Sequence, residues 1–158
     1  MRHTTVGLLE FDRARATPGV TIITPLQGKA TYLVGMKGEV LHHWDHPLKP
    51  GNYAYLLANG NLLWAGETVE GPSPGGGRGG LLREYDWDGN VLWEYQDDAQ
   101  HHDFCRLQNG NTLYIGWEKM PKEAQARMVG AEAGTEDDNG DTWSDYLREV
   151  SPARETIW

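Results

Sequence analysis

Five of the six histidines in this chain of 158 residues fall in two short clusters. One cluster is His42-His43-Trp44-Asp45-His46, and the other is His101-His102-Asp103. An imidazole titrates close to neutral pH, so it serves as a nucleophile or as a general acid or base without a large pKa shift. Because the second cluster opens a predicted strand, His102 and its neighbour His101 are the candidate catalytic residues.

A divalent metal ion is an alternative explanation of the same clusters. His101, His102 and His46 are then the candidate ligands, because imidazole and carboxylate together suit zinc, manganese or iron. The spacing of these residues matches no closed zinc motif, so the primary prediction includes no cofactor. A structural role is the third explanation, above all for His42 and His43, which lie on a predicted outer strand.

A repeated sequence pattern predicts which elements carry these residues. Residues 59–64, Asn-Gly-Asn-Leu-Leu-Trp, return 50 residues later as 109–114, Asn-Gly-Asn-Thr-Leu-Tyr, and residues 37–41 return 51 residues later as 88–92. Asn-Gly and Asp-Gly between short aromatic and β-branched runs predict two-residue hairpin loops. Two hairpins in each period make a unit of four antiparallel strands, which is typical of a β-propeller blade.

The whole chain is therefore predicted to be one all-β propeller segment, residues 1–158, with four antiparallel strands in a blade and an incomplete ring. Residues 20–45 hold the end of one blade, and residues 51–96 form a second. Residues 101–158 form a third blade, which contains an insertion at 121–143.

Four segments outside these strands have their own patterns. Val6 to Phe11 is a candidate extra strand, and Gly71 to Gly80 is predicted to be a flexible loop. Within the insertion, residues 122–128 are compatible with a helix, whereas residues 130–141 are acidic and rich in glycine. The acidic stretch is predicted to be a solvated excursion, with a lid or a partner-binding loop as the alternative.

Comparison of the units draws attention to the second cluster. In the second unit, Gly51 and Asn52 stand where the third unit has His101 and His102. A side chain that one unit has and the other lacks is more easily explained by function than by packing. Asn52, which stands at the place of His102, and Asp103, which directly follows His102, are candidate substrate-binding residues. Alternation along a strand allows only one of the two adjacent histidines to face the centre of a propeller.

Two more residues are assigned by the same alternation. Arg106 shares the strand face of His102, and its guanidinium suits an anionic group such as sulfate, which makes Arg106 a third catalytic candidate. A salt bridge at the rim is the alternative for Arg106. Cys105 lies on the opposite face and is predicted to be a buried, small apolar residue. As the single cysteine, it cannot form an internal disulfide.

Composition limits the partners and the compartment. The formal net charge is −9 and the sequence pI is near 5.0, which argues against nucleic acid and anionic membranes as partners. No apolar run approaches the ~20 residues of a membrane span, and the first residues lack the apolar core of a signal peptide, so a cytoplasmic location is predicted. A ring needs at least about four blades, so we expect the rest of the propeller to come from a second chain, from further copies of this one, or from residues of a longer chain of which this sequence is a part.

Residues 101–113, His-His-Asp-Phe-Cys-Arg-Leu-Gln-Asn-Gly-Asn-Thr-Leu, and residues 86–95, Asp-Trp-Asp-Gly-Asn-Val-Leu-Trp-Glu-Tyr, resemble the arylsulfotransferase family of β-propellers. Residues 144–150 also resemble it. The resemblance implies a six-bladed ring, about half of which lies in this chain, and transfer of a sulfuryl group from a phenyl sulfate to a phenol. It implies a channel histidine that is transiently sulfated, with further histidines and an arginine around the sulfuryl oxygens. His102, or its neighbour His101, matches a channel histidine of that set.

These patterns together predict an arylsulfotransferase-like enzyme or subunit that transfers or cleaves a group on a small aromatic or anionic substrate. The channel histidines would carry the chemistry without a cofactor. A metal-dependent lyase or hydrolase is one alternative, with a divalent metal ion as its cofactor. A non-catalytic propeller scaffold that binds a ligand is the other.

Overall fold

The computed structural model describes residues 7–72, 74–129, 136–137 and 139–158, and this part of the chain forms three antiparallel sheets. The all-β prediction is confirmed. The first sheet holds β1 (Thr21–Ile23), β2 (Ala30–Val34) and β3 (Val40–Asp45); the second holds β4 (Pro50–Leu56), β5 (Leu62–Glu67), β6 (Gly80–Tyr85) and β7 (Val91–Gln96); the third holds β8 (Gln100–Arg106), β9 (Thr112–Lys119) and β10 (Trp143–Val150).

The three sheets correspond to the three units of the repeat, but they differ in completeness. The second sheet has all four strands in sequence order. The third sheet has three strands, and an isolated bridge joins Val150 at the end of β10 to Thr156. In the first sheet, the predicted extra strand over Val6 to Phe11 is wrong for its described part, because residues 7–11 form no strand.

The hairpin loops are longer than predicted. In the β4–β5 loop, Leu57 N donates to Asn61 O, and Gly60 N donates to Leu57 O. Gly60 has a φ of +87°, whereas Asn59 is absent from the left-handed region, so three residues form the loop. This is a type I turn followed by a glycine bulge rather than the two-residue loop predicted from Asn-Gly. The Asp88-Gly89 and Asn109-Gly110 loops make the same backbone hydrogen bonds.

The second sheet is covered on both faces, and β5 lies at its centre. Leu62 and Trp64 of β5 pack with Trp44 of the first sheet. Leu63 and Ala65, on the opposite face of β5, pack with Phe104 and Tyr114 of the third sheet. Alternation along one fully buried strand therefore joins the three sheets through two apolar layers.

The third sheet leaves its other face open. Leu113 and Ile115 are only partly buried there, and 53% of the Leu147 surface is exposed. Cys105 lies on this face opposite Leu113 and is exposed, so the prediction of a buried Cys105 is wrong. Alternation assigned the correct face, but no described sheet covers that face.

The insertion joins β9 to β10. Its helix α1 (Lys122–Gln125) lies within the predicted helical stretch. Asp141 contacts Lys122 Nζ at 3.0 Å at the base of the insertion. The acidic stretch predicted at 130–141 falls largely outside the described residues. No helix in the described ranges is long and apolar enough to cross a membrane.

Candidate functional site

A bulge in β8 places the two adjacent histidines. His101 pairs with Ile115 and Phe104 pairs with Tyr114, so His102 and Asp103 are extra residues without partners in the ladder. His102 has a φ of +48°, in the left-handed region of backbone conformation that residues other than glycine rarely adopt. Such backbone conformations cost energy and are concentrated at functional sites.

The second sheet has a bulge at the equivalent place. Pro50 pairs with Gly66 and Ala54 pairs with Trp64, so the register of β4 shifts between Pro50 and Ala54. Within this shift, Asn52 has a φ of +90°. The unusual backbone at His102 is therefore a property of the repeat, whereas the imidazole on it belongs to the third unit alone.

The bulge brings the two imidazoles together instead of sending them to opposite faces. Nδ1 of His101 lies 2.8 Å from Nδ1 of His102, within hydrogen-bonding distance. The two ring planes are perpendicular, with centroids 5.0 Å apart. Strict alternation of side chains does not hold at this bulge, because the backbone takes a positive φ at His102. Which of the two rings faces the centre of a propeller stays a prediction.

His101 is the buried member of the pair, with 3% of its surface exposed. Its ring stacks on Trp117, with centroids 4.0 Å apart and planes 17° apart. Oδ1 of Asp145 lies 3.2 Å from Nε2 of His101, although without the alignment of a strong hydrogen bond. Burial lowers the pKa of His101 even though the Asp145 charge opposes this shift, which favours the neutral form of the ring.

His102 is the exposed member, and the glycine-rich loop packs against it. His102 N donates to Gly77 O at 2.9 Å. A Cβ built on Gly77 would lie 2.3 Å from both Cε1 and Nε2 of the His102 ring. Gly79 also lies close to Gly51 of β4, because a Cβ built on Gly51 would lie 2.6 Å from the Cα of Gly79. Gly77 and Gly79 therefore allow this loop to approach β4 and β8 more closely than residues with a Cβ could at those two positions.

The two candidate substrate-binding residues also lie at the bulges. Asn52 Nδ2 donates to Gly77 O at 3.3 Å and to His102 O at 3.4 Å. Asp103 accepts hydrogen bonds from the Tyr53 hydroxyl and from Phe104 N. Burial, reinforced by Asp103, raises the pKa of Tyr53. Asn52 is thus beside the histidine pair, and Asp103 is held by the neighbouring strand.

Arg106 is not brought to the histidines. It lies at the other end of β8, opposite Thr112. Its Nη2 donates to Glu84 Oε2 at 2.8 Å, and its guanidinium lies 4.7 Å from the centroid of the Trp93 ring. The alternative predicted for Arg106, a salt bridge, is therefore the one that the structure shows. The salt bridge holds the Arg106 side chain between the second and third sheets.

His46 is also distant from the pair. Its Nε2 lies 2.9 Å from Thr31 Oγ1, and its ring stacks on Trp64 between the first and second sheets. Burial lowers its pKa to about 4. The metal-ligand set of His101, His102 and His46 is therefore not assembled. Across the described ranges, no group of three or more His, Cys, Asp or Glu side chains is placed to hold a metal ion.

Three residues of the site were not identified from the sequence: Gly77, Trp117 and Asp145. Trp117 and Asp145 pair across β9 and β10 and line a cleft of about 280 Å³ together with Trp143 and Gly75. The sequence carried one usable signal, because Asp145 lies in the segment 144–150 that resembles the arylsulfotransferases. Its 44-residue separation from His101 concealed the contact.

Comparison with known proteins gives a likeness of fold only. No protein-family model and no curated protein matches the chain. The chain is similar in structure to a protein of unknown function from Bacteroides caccae, with a TM-score of 0.53 and 12% sequence identity. The match covers 94% of this chain and 46% of that one, so the chain spans about half the length of the solved structure.

Proposed function

We propose that the three sheets are successive blades of a β-propeller related to the arylsulfotransferases. Contacts between β4 and β8 support this arrangement, because they join residues one period apart. Asn52 contacts His102, and Tyr53 contacts Asp103, both at a separation of 50 residues. Equivalent residues of neighbouring blades meet in this way when blades are related by rotation about a common axis.

Further blades would cover the open face of the third sheet. Leu113, Ile115 and Leu147 occupy the places that Leu63, Ala65 and Leu82 hold in the second sheet, where those three residues are buried. We propose that another chain or further copies of this one supply the covering sheets. Native mass spectrometry tests this, and a monomer at every concentration, with Leu147 freely accessible to solvent, would contradict it.

His102 is the proposed reacting imidazole, and one observation carries this assignment: its exposed ring is held through Nδ1 by the buried ring of His101. The bulge and the Gly77 carbonyl fix the backbone of His102. No hydrogen bond to Nε2 of His102 occurs in the described part of the chain. That nitrogen is therefore the one available to a substrate.

The reaction that fits this arrangement is a two-step group transfer. Nε2 of His102 attacks the sulfur of an aryl sulfate, an N–S bond forms, the S–O bond to the ring breaks, and a phenolate leaves. The positive charge that develops on His102 strengthens the hydrogen bond between Nδ1 of His102 and Nδ1 of His101. An acceptor phenol then attacks the sulfur, the N–S bond breaks, and the phenol proton passes to solvent. Arg106 holds no sulfuryl oxygen in this scheme, so other groups must do so.

The test is the fate of an aryl sulfate on the full chain. 4-Nitrophenyl sulfate should release nitrophenol and leave a sulfuryl group on His102, detectable by mass spectrometry of the peptide. His102→Ala should reduce turnover by about 10³-fold, whereas His43→Ala, which removes an exposed imidazole from β3, should not. Loss of activity to a chelator with recovery on adding one metal would favour the metal-dependent lyase or hydrolase. Unchanged activity and ligand affinity in His102→Ala would favour a binding scaffold.

A further inference from the structure

Asp145 lies at the far end of a short series of contacts that reaches the proposed reacting nitrogen. Its Oδ1 is 3.2 Å from Nε2 of His101, and Nδ1 of His101 is 2.8 Å from Nδ1 of His102. The Trp117 ring stacks on His101 and fixes the plane of the middle imidazole. The carboxylate thus lies close to Nε2 of the buried ring without a well-aligned hydrogen bond, and the second imidazole lies at hydrogen-bonding distance from Nδ1 of the same ring.

The proton arrangement along this series follows from charge. A neutral imidazole carries one N–H and one lone pair. A lone pair on Nε2 of His101 would face the Asp145 carboxylate and be repelled, so Nε2 carries the proton. Nδ1 of His101 then accepts, and Nδ1 of His102 must donate. We infer that Asp145 is a positioning residue that acts through His101 to leave the lone pair of His102 on Nε2.

This assignment has a consequence that packing alone does not. In the reverse arrangement, His101 would donate from Nδ1, and His102 would present an N–H to the substrate in place of a lone pair. Asp145 therefore determines whether His102 acts as a nucleophile. The inference rests on the proposed role of His102, but the tautomer is measurable without any substrate. The role of Asp145 can therefore be refuted independently of the proposed reaction.

The experiment reads the two rings directly in the full chain. Two-bond ¹H–¹⁵N correlation spectra distinguish a nitrogen that carries a lone pair from one that carries a proton. The rate at which diethyl pyrocarbonate modifies His102, measured by peptide mass spectrometry, reports the same lone pair chemically. The variants are Asp145→Asn, which removes the charge, and Asp145→Glu, which keeps it. Asp45→Asn is the matched control, because Asp45 is an exposed carboxylate of β3 that lies 3.7 Å from Nε2 of a different histidine, His43.

In the wild type and in Asp45→Asn, we expect the lone pairs on His101 Nδ1 and His102 Nε2. Asp145→Asn should mix the two tautomers and slow modification of His102 by roughly tenfold, in line with the loss of a contact to a charged group. Asp145→Glu should recover most of that rate. The inference is wrong if Asp145→Asn keeps the wild-type tautomers and rate, or if Asp45→Asn changes them equally.

Discussion

Gly77→Ala provides a sharp test of the site, because its new methyl group would meet the reacting ring. The added Cβ would lie 2.3 Å from both Cε1 and Nε2 of His102. Carbon atoms in favourable contact lie about 3.5–4.0 Å apart, so the ring must move by roughly 1.2 Å or more. That movement is enough to break the Nδ1–Nδ1 contact with His101. A misplacement of about 1 Å at a reacting group costs about 10²-fold in rate.

Gly76→Ala is the matched control for this substitution. Gly76 and Gly77 have φ values of +84° and +72°, so an alanine suffers similar backbone strain at both positions. This strain is about 1 kcal/mol, which lowers the Tm of a protein of this size by about 2–4 °C. A Cβ on Gly76 meets nothing within 4 Å, so His102 should stay in place.

Two measurements separate the effects of these variants. Thermal unfolding of Gly76→Ala reports the backbone strain that both variants share, and Gly77→Ala should lose at least as much stability because it also displaces the His102 ring. Aryl sulfate turnover, with the imidazole NMR signals of His102 as an independent readout, should fall about 10²-fold in Gly77→Ala alone. Equal turnover in the two variants would refute the placement of the glycine-rich loop against His102.

Two further predictions concern stability. Arg154, in the loop after β10, has a φ of +70°, and Gly60 has a φ of +87° at the corresponding place of the β4–β5 loop. Arg154→Gly should therefore raise the free energy of unfolding by about 0.5–1 kcal/mol in urea titrations, and Gly60→Ala should lower it by about the same amount. Burial lowers the pKa of His46 from 6.5 to about 4, so the unfolded chain binds this proton first as pH falls and stability is lost across that window. The slope due to His46 should reach ~1.4 kcal/mol per pH unit and should vanish in His46→Gln, and an unchanged slope would refute it.

Local sequence signals were sufficient for the strands but not for the loops between them. Aromatic and β-branched runs around Asn59-Gly60 and Asn109-Gly110 predicted the hairpins, because a turn dipeptide between two short apolar runs is typical of a β-hairpin. The same dipeptide fits a two-residue or a three-residue loop. The choice depends on whether Leu57 pairs across the hairpin with Asn61, which is a property of register rather than of the turn residues.

The site was predicted where it depends on the repeat and missed where it depends on distant segments. The 50-residue period correctly related Asn52 to His102, and the two do lie together. Alternation failed at His102 because the carbonyl of Gly77, 25 residues earlier, binds its amide and supports a positive φ. Alternation likewise gave the face of Arg106 but could not give its partner, Glu84, which comes from another sheet.

The contacts between residues one period apart have a consequence for how such a chain can change in length. Asn52 meets His102, and Tyr53 meets Asp103, so each sheet presents to its successor much the same surface that its predecessor presented to it. Duplication of one whole period would therefore place matching surfaces against each other at both new junctions. Deletion of part of a period would instead join surfaces that do not correspond, so tolerated changes in length should come in steps of about one unit.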